Sequence, residues 1–440
     1  MKRITLHKLV AWKDSPSRKP LIIRGARQVG KTWLMKEFGN TYYTQTVYIN
    51  FEKTKQLKSL FDEDFSIRRI ILALQIESGI TIHAEDTLLI FDEIQSVPEA
   101  ITALKYFCED APEYHVIAAG SLLGVALHAG ISFPVGKVEF MDLHPLSFLE
   151  FLDAIGESSL VELLYSADWK LITTFKSKYI RRLRQYYYVG GMPEAVLKFS
   201  ENENYDEVRD IQKQILNAYE LDFSKHAPTA VVPRIRMVWN SIPAQLAKEN
   251  RKFIYGLIKA GSRAKEYELA VSWLLDCGQV HKVIRISKPG IPLKAYEDIN
   301  AFKLFIVDIG LLAAMGDMDV KTLLDGNAVF SEFKGALTEQ FVLQQLICLN
   351  DLVIYYWSAE RSTAEVDFIV QYKGEAIPVE VKAEENLHAK SLKVYHEKFA
   401  PGHSVRTSMS DFRSQEWLIN LPLYAISQLK RVIDRTITPK

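Results

Sequence analysis

Short apolar runs alternate with longer amphipathic segments through the first third of the chain. The apolar runs occupy residues 20–24, 45–50, 87–93, 114–119 and 137–143. Runs of this length are typical of buried strands, whereas apolar residues at helical spacing in the intervening segments predict helices. Strands that alternate with helices favour a mostly parallel sheet with helices on both faces, and a ligand at the carboxyl ends of the strands. The predicted fold class is therefore α/β.

The rest of the chain has a helical stretch followed by two mixed segments. Residues 157–226 have helical periodicity throughout, and residues 238–285 suggest two helices followed by a strand, an order that resembles a winged helix. The second of these helices carries Glu266, Glu268 and Asp276 against Lys265. That near-neutral face favours a structural or protein-contact use over binding in a DNA groove. Further strands are predicted at residues 354–357, 365–370 and 376–382, and a terminal helix from residue 420.

Composition limits the class of protein without identifying it. The 440 residues include 54 basic and 54 acidic side chains, so the net charge is zero and a nucleic-acid partner would require a local basic patch. The three cysteines, Cys108, Cys277 and Cys348, lack C-x-x-C spacing and are expected to be buried free thiols. No apolar run approaches the length of a membrane span, and no secretory signal is evident. We therefore expect a cytoplasmic protein without a membrane partner.

A phosphate-binding motif follows the first apolar run and precedes the first long helix. The motif G-x-x-x-x-G-K-[ST] is formed by Gly25, Ala26, Arg27, Gln28, Val29, Gly30, Lys31 and Thr32, and Trp33 continues the helix. In such a loop the backbone N–H groups surround phosphates, the lysine neutralises them, and the hydroxyl holds magnesium. These nine residues are the predicted binding site of ATP, with Lys31 also counted among the catalytic residues.

Two further segments are predicted to complete the nucleotide site. The run at residues 87–93 ends in Asp92 and Glu93, so Asp92 is placed to hold the Mg²⁺ of bound ATP together with Thr32, and Glu93 to activate the attacking water. The strand at residues 114–119 ends at Gly120 and Ser121. Ser121 is a candidate contact to the γ-phosphate, although a simple Gly-Ser turn explains the same letters.

Four segments together resemble a known family. These are residues 24–32, 89–95, 120–123 and 143–151, which look like the prokaryotic AAA-type ATPases that carry a C-terminal domain of unknown function. The resemblance implies an additional-strand core with the phosphate-loop strand between the fifth and fourth strands. It also implies the roles given above for Lys31, Thr32, Asp92 and Glu93. Where the family has Gly-Arg, this chain has Gly136-Lys137, and lysine cannot reproduce the two-point contact of arginine.

The resemblance also implies a division into domains. We expect an AAA-type P-loop core at residues 1–155, a helical lid at 156–235, a winged-helix-like domain at 236–324 and a restriction-endonuclease-like domain at 325–440. Within the lid, five cations between residues 176 and 184 fit either a solvated helix face or a nucleic-acid surface. The family's Y-x-x-G-G-x-P signature matches residues 187–193 and is interpreted as a structural joint.

A second chemical constellation lies near the C-terminus. Asp367 and Glu380 fall on successive predicted strands, Lys382 is two residues beyond Glu380, and Glu339 lies on the preceding helix. Residues two apart on a strand share a face, so Glu380 and Lys382 are expected together. Two carboxylates can hold a second divalent metal, and a neighbouring lysine can orient water. The D-x12-E-x-K pattern is that of the restriction-endonuclease-like superfamily, and its alternative is a surface hairpin with alternating charges.

The sequence thus predicts an ATP-binding and ATP-hydrolysing switch that controls a C-terminal nuclease-like domain. One alternative is an ATP-gated, metal-dependent DNA endonuclease. Another is a non-catalytic, ATP-dependent regulator whose partner is DNA or a protein. Whether the C-terminal domain cleaves nucleic acid stays open at this point, because the same fold also serves for binding alone.

Overall fold

The computed structural model describes residues 1–61, 65–120, 133–248, 251–325, 331–360, 363–385 and 389–437. Contacts divide the chain into two compact units. The first unit consists of Lys2–Pro145 together with the short segment Trp273–Gln279. The second consists of Leu146–Ser272 and Val280–Lys440, with Met1.

The first unit contains five strands and four α-helices in its described part. The strands are β1 (Leu21–Arg24), β2 (Gln45–Asn50), β3 (Thr87–Asp92), β4 (His115–Ala119) and β5 (Glu139–Asp142). The helices are α1 (Leu6–Lys13), α2 (Lys31–Tyr42), α3 (Ile67–Ser78) and α4 (Pro98–Asp110), with 3-10 turns at Lys55–Leu60 and Ile94–Ser96.

All five strands of the first unit run parallel, in the order β2-β3-β4-β1-β5. Strand β1 therefore lies between β4 and β5, as the family resemblance implied. Every residue of β3 and of β4 is buried. Because successive side chains of a strand point to opposite faces, both faces of the sheet centre are covered, and this explains the near-continuous apolar runs in the sequence. The predicted α/β class with a parallel sheet is confirmed.

The second unit begins with helices. They are α5 (Phe148–Ala154), α6 (Ser158–Ser166), α7 (Trp169–Thr174), α8 (Lys176–Val189), α9 (Pro193–Asn202), α10 (Tyr205–His226), α11 (Val232–Leu246) and α12 (Tyr255–Ile258). Helix α13 (Ala264–Asp276) starts in this unit, and its last turn belongs to the first unit. The remaining helices are α14 (Ile309–Met315), α15 (Val320–Asp325), α16 (Ser331–Cys348), α17 (Lys390–Phe399) and α18 (Leu429–Ile437), with 3-10 turns at Leu293–Tyr296 and Leu423–Gln428.

One mixed sheet of eight strands forms the β part of the second unit. Its strands are β6 (Val280–Ile286), β7 (Glu297–Ile306), β8 (Val353–Ser358), β9 (Glu365–Tyr372), β10 (Glu375–Val381), β11 (Val405–Ser408), β12 (Arg413–Ser414) and β13 (Ile419–Pro422). The order is β12-β13-β11-β10-β9-β8-β6-β7. The β6–β7 hairpin, which includes the strand predicted after the second helix, pairs through β6 with β8. The winged-helix and restriction-endonuclease-like assignments stay predictions.

Residues 241–246 form the end of α11, which contains Pro243, and the short helix α12 follows at Tyr255–Ile258. A proline lacks the N–H that the helix would use, yet the next turn closes through the bond from the Ala247 N–H to the Pro243 carbonyl. The terminal helix predicted from residue 420 begins later: residues 420–422 complete β13, where Asn420 pairs with Arg406, and helical turns follow from Leu423 to Ile437.

Gly190 and Gly191 of the signature lie where buried polar groups pack closely against the backbone. The Asp308 carboxylate accepts hydrogen bonds from the Gly191 N–H at 2.6 Å and the Leu311 N–H at 3.1 Å. A Cβ on Gly190 would come within 2.2 Å of Asp308 Oδ1, and one on Gly191 within 2.1 Å of the Leu146 carbonyl oxygen. Side chains are therefore excluded from both positions, which gives the signature a physical reason.

Candidate functional sites

The phosphate loop has the backbone shape that its motif predicts. Gly30 caps helix α2 with a positive φ of 93°, and Gly25 has φ 150°. A Cβ on Gly25 would lie 2.2 Å from the Leu143 carbonyl oxygen, so only glycine fits there. The loop ends at the N-terminus of α2, where unpaired backbone N–H groups favour an anion.

Lys31 turns back into the loop that it follows. Its ammonium donates hydrogen bonds to the carbonyl oxygens of Gly25 and Ala26, both at 2.8 Å. Burial lowers the pKa of Lys31 from 10.5 to about 8, against the opposing attraction of Glu93 and Asp92. A buried ammonium among backbone carbonyls is poised to exchange these acceptors for phosphate oxygens, which carry full negative charge.

The two predicted magnesium ligands are in contact. Thr32 Oγ1 donates a hydrogen bond to Asp92 Oδ2 at 2.7 Å, and the Tyr48 hydroxyl donates to the same oxygen at 2.8 Å. Asp92 is 3% exposed and is oriented further by the Glu93 N–H, which donates to Oδ1 at 3.0 Å. A hydroxyl and a carboxylate oxygen at this separation are the donor set that P-loop sites offer to Mg²⁺, so these residues fit the ion.

Glu93 has a strained backbone at the end of β3. Its φ of 51° is in the left-handed region, which is uncommon for residues other than glycine, and such outliers concentrate at functional sites. Gln95 Nε2 donates a hydrogen bond to Glu93 Oε2 at 2.5 Å, which orients the carboxylate. Ser121, the third predicted catalytic residue, lies outside the described residues.

Lys137 lies at the end of the sheet opposite the phosphate loop. It precedes β5, whose first residue pairs with Leu21 at the amino end of β1, and its ammonium pairs with Glu109 at 2.8 Å. A contact from Lys137 to a phosphate at the carboxyl end of β1 is therefore ruled out by position.

Two residues that belong to no recognisable motif support the phosphate loop. Arg3 is 7% exposed, and its guanidinium donates to the Val29 carbonyl at 3.1 Å and to the His144 carbonyl at 2.6 Å. Gly278, far along the chain but part of the same compact unit, lies so close that an added Cβ would be 3.2 Å from the Ala26 nitrogen. No local sequence signal marks either residue, because both act through a distant segment.

In the second unit, the four predicted residues of the C-terminal constellation come together. Glu339 on α16, Asp367 on β9, Glu380 on β10 and Lys382 just after β10 line one cavity of about 870 Å³. Lys382 Nζ pairs with Glu380 Oε1 at 2.7 Å, as their spacing suggested. The Val381 N–H donates to Asp367 Oδ2 at 2.8 Å, and a hydrogen bond joins the carboxyl groups of Glu339 and Asp367.

Three charged residues that were not predicted complete this cluster. Lys303 of β7 is 0% exposed, with its Nζ 2.5 Å from Glu365 Oε1 and 3.5 Å from Glu339 Oε2. Arg251 pairs through its guanidinium with Glu339. Glu365 could have been found from the sequence, because it is two residues before Asp367 on the same strand and so shares its face.

Burial and the neighbouring charges shift the pKa values of the cluster in opposite directions. Burial raises the pKa of Glu339 to about 8 and that of Glu380 to about 7. Burial also opposes the ionisation of Asp367, but Lys303 and the bond from Glu339 lower its pKa overall. The Glu339–Asp367 pair therefore holds a shared proton more readily than two free carboxyl groups would.

The described residues contain no group of three or more His, Cys, Asp or Glu side chains arranged to hold a metal ion. At the C-terminal cluster, the carboxylates that a second metal would need already face Lys303 and Arg251. The predicted second divalent metal therefore gains no support from the geometry.

The basic stretch on α8 is engaged mainly within the protein. Arg182 pairs with Glu157 and Glu203, Lys178 pairs with Glu157, and Lys176 pairs with Glu385. Arg184 donates a hydrogen bond to the Leu324 carbonyl at 2.8 Å. These pairings favour a structural use of the stretch over a nucleic-acid surface. Among the helices within the described ranges, none has the length and apolar character needed to cross a membrane.

Three family models match successive parts of the chain. The model described as an AAA domain matches residues 17–152. Models described as domains of unknown function, DUF8612 and DUF4143, match residues 180–322 and 334–425. No curated protein matches the chain.

Solved structures resemble the chain only distantly. A Walker-type ATPase of Pyrococcus abyssi, PABY2304, is 14% identical with a TM-score of 0.44, and the match covers 72% of this chain and 95% of that one. The ORC1 protein of Aeropyrum pernix, solved in complex with DNA, is 12% identical with a TM-score of 0.27, over 71% of this chain and 91% of that one. Cdc6p of Pyrobaculum aerophilum is 13% identical with a TM-score of 0.26, over 74% and 96%.

Proposed function

We propose, from the premise that residues 17–152 form an AAA-type P-loop ATPase domain, that this protein is an Mg²⁺-dependent ATP-hydrolysing switch. The observation that carries the proposal is the hydrogen bond from Thr32 to Asp92 at 2.7 Å, next to a buried Lys31 inside the phosphate loop. Phosphate, metal and water positions are thereby supplied by neighbouring residues of a single unit. The switch would control the second unit, whose C-terminal part carries the nuclease-like constellation.

Each residue has a definite part in the proposed reaction. The loop N–H groups and Lys31 bind the β- and γ-phosphates and offset the charge that develops on them in the transition state. Thr32 and Asp92 would hold Mg²⁺, which supplies further charge neutralisation when bound. Glu93, oriented by Gln95, accepts a proton from the water that attacks the γ-phosphate.

The segment Trp273–Gln279 offers a route by which the nucleotide state could reach the second unit. It belongs to the compact unit of the phosphate loop, and the chain continues directly from Gln279 into Val280, the first residue of β6. A change in the loop at Ala26 would therefore act on Gly278 and on the start of the eight-stranded sheet.

The test is a pair of variants with opposite signatures. Lys31→Ala is expected to abolish ATP binding, because the buried positive charge is lost. Glu93→Gln is expected to bind ATP normally but to lower turnover about 10²–10⁴-fold, the usual contribution of a general base. Binding is measured by calorimetry and turnover by phosphate release. Tight ATP binding by the alanine variant would overturn the assignment of the site.

The alternative is a non-catalytic, ATP-dependent regulator that binds DNA or a protein partner. The internal pairing of the α8 cations removes one reason to expect DNA. Titration with duplex DNA at rising salt distinguishes the two partners, since phosphate contacts must weaken steeply as counterions compete.

A further inference from the structure

The charge count at the C-terminal cluster differs from that of a metal-dependent site. Glu380 pairs with Lys382, which leaves three carboxyl groups, on Glu339, Glu365 and Asp367, and the hydrogen bond between Glu339 and Asp367 holds one shared proton. These three face two fixed cations, Lys303 and Arg251. Two fixed positive charges equal the charge of one divalent ion, which is what a carboxylate cluster normally recruits.

Lys303 is held in this position. Its side chain is 0% exposed, its ammonium contacts Glu365 and Glu339, and it lies 5.0 Å from the centre of the Tyr356 ring. It projects from β7, where Lys303 pairs with Val283 of β6. A divalent ion placed among the same carboxylates would meet this ammonium in a low-dielectric environment, where like charges repel strongly.

Arg251 closes the other side of Glu339. Its side chain is only 15% exposed, and its guanidinium pairs with a Glu339 oxygen. The charge of the acids keeps both cations protonated: although burial works against it, the pKa of Lys303 is raised by Glu339 and Glu365, and that of Arg251 by Glu339 and Asp367.

The remaining carboxylate oxygens do not form an alternative site. Asp367 accepts the Val381 N–H on Oδ2 and is bonded to Glu339. Glu380 Oε2 is a buried oxygen without a hydrogen-bond partner among the described residues, so it is one open acceptor. This oxygen lies beside the Lys382 ammonium, whose positive charge opposes a divalent ion at the same place.

We infer that Lys303 and Arg251 take the place of the divalent metal in the C-terminal cluster, so that this site neither binds such an ion nor cleaves phosphodiesters by a metal-dependent route. The inference concerns the second unit alone and stands or falls independently of ATP hydrolysis in the first. On this inference the cavity of about 870 Å³ is a binding site lined in part by the Arg251–Glu339 ion pair.

The first experiment is a Mn²⁺ titration of the full-length, nucleotide-free protein, with free Mn²⁺ followed by electron paramagnetic resonance. The wild type and Asp367→Asn are expected to bind the same amount of Mn²⁺, because the cluster holds none. Asparagine keeps an acceptor for the Val381 N–H, so it is a mild control. One equivalent of Mn²⁺ that the wild type binds and Asp367→Asn loses would overturn the inference, as would Asp367-dependent nicking of plasmid DNA with Mg²⁺ or Mn²⁺.

The second experiment removes the internal cation. Lys303→Met is expected to lower the melting temperature and to gain a Mn²⁺ site, so that Mn²⁺ at about 100 times its Kd raises that temperature by roughly 4 °C or more while leaving the wild type unchanged. The gain should vanish in Lys303→Met/Asp367→Asn. A folded Lys303→Met variant whose melting temperature does not change with Mn²⁺ would contradict the proposed role of Lys303. If that variant does not fold, the wild-type titration decides alone.

Discussion

At the scale of single residues, the proposed ATP site of the first unit depends on buried polar side chains whose hydrogen-bond partners lie in the same unit. Lys31, Asp92 and Arg3 are each at most 7% exposed, and each is satisfied by named partners. Removing one partner of such a contact leaves the other buried and unpaired, which costs more than the contact itself contributes. Substitutions at these positions should therefore affect binding and stability together.

Arg3 tests this statement away from the motif itself. Arg3→Ala removes the donors to the Val29 and His144 carbonyls, and we expect a loss of about 1–3 kcal/mol in the free energy of unfolding together with weaker ATP binding. Chemical denaturation and ATP titration measure the two effects. The matched control is Lys2→Ala, whose side chain is exposed and should change neither quantity. Equal behaviour of the two variants would contradict a supporting role for Arg3.

His115 gives a prediction about pH. Its Nδ1 lies 2.6 Å from the Tyr43 hydroxyl, and burial, aided by Arg18 and Lys13, lowers the pKa of His115 from 6.5 to about 4. The unfolded chain therefore takes up a proton as the pH falls below 6.5, whereas the folded protein does so only near 4. Stability attributable to the neutral imidazole is present above pH 6.5 and is lost as the pH falls between these values.

The measurement is the free energy of unfolding of wild type and His115→Gln between pH 7 and pH 5. The difference between the two proteins should shrink as the pH falls, by up to about 1 kcal/mol per pH unit below pH 6. A difference that does not change with pH would show that His115 titrates alike in both states.

At the scale of elements, the C-terminal cap of helix α13 packs against the phosphate loop. The Gly278 N–H donates to the Leu275 carbonyl at 2.9 Å and the Gln279 N–H to the Leu274 carbonyl at 3.1 Å, and Gly278 has φ 68°. Glycine is the usual residue at this position because the left-handed conformation costs it nothing. Here it has a second requirement, the closeness of the Ala26 nitrogen.

Gly278→Ala separates the two requirements. Gly261 has φ 79° with open space around its Cβ position, so Gly261→Ala measures the conformational cost alone, about 1 kcal/mol. Gly278→Ala should cost the same and in addition weaken ATP binding several-fold, because the new methyl group pushes on the phosphate loop. ATP titration of both variants is the test. If both keep wild-type affinity, the contact with the loop has no role in nucleotide binding.

At the scale of the whole molecule, the division into two compact units predicts how a ligand stabilises it. A non-hydrolysable ATP analogue at about 100 times its Kd should stabilise the unit that contains the phosphate loop by about 2.7 kcal/mol. Lys31→Ala should abolish the effect. Calorimetric unfolding with and without the analogue measures it.

Hydrogen exchange reveals whether the switch reaches the second unit. If the segment Trp273–Gln279 transmits the nucleotide state, amides at the start of β6 should exchange more slowly when the analogue is bound. Protection confined to residues 2–145 would contradict the proposed control while leaving ATP binding intact.

The sequence by itself determined the features that a contiguous stretch of chain can build. The phosphate loop is a strand, a turn and a helix in succession, so its eight letters fix both the backbone shape and the chemistry at a helix N-terminus. The apolar runs fixed the parallel sheet in the same way, because strands buried on both faces must be apolar throughout. Spacing also brought Glu380 and Lys382 to one face.

Only the tertiary structure determined which residues surround the phosphate loop and the Glu380–Lys382 pair. Arg3 reaches the phosphate loop from the start of the chain and Gly278 from beyond its middle. Lys303 and Arg251 reach the acidic cluster from segments that no motif connects to it. The sequence does not reveal which groups a single lysine in an apolar strand contacts, because those groups come from other parts of the chain. The electrostatics of a buried site depends on all charges within a few ångströms, and the order of residues in the chain does not record that distance.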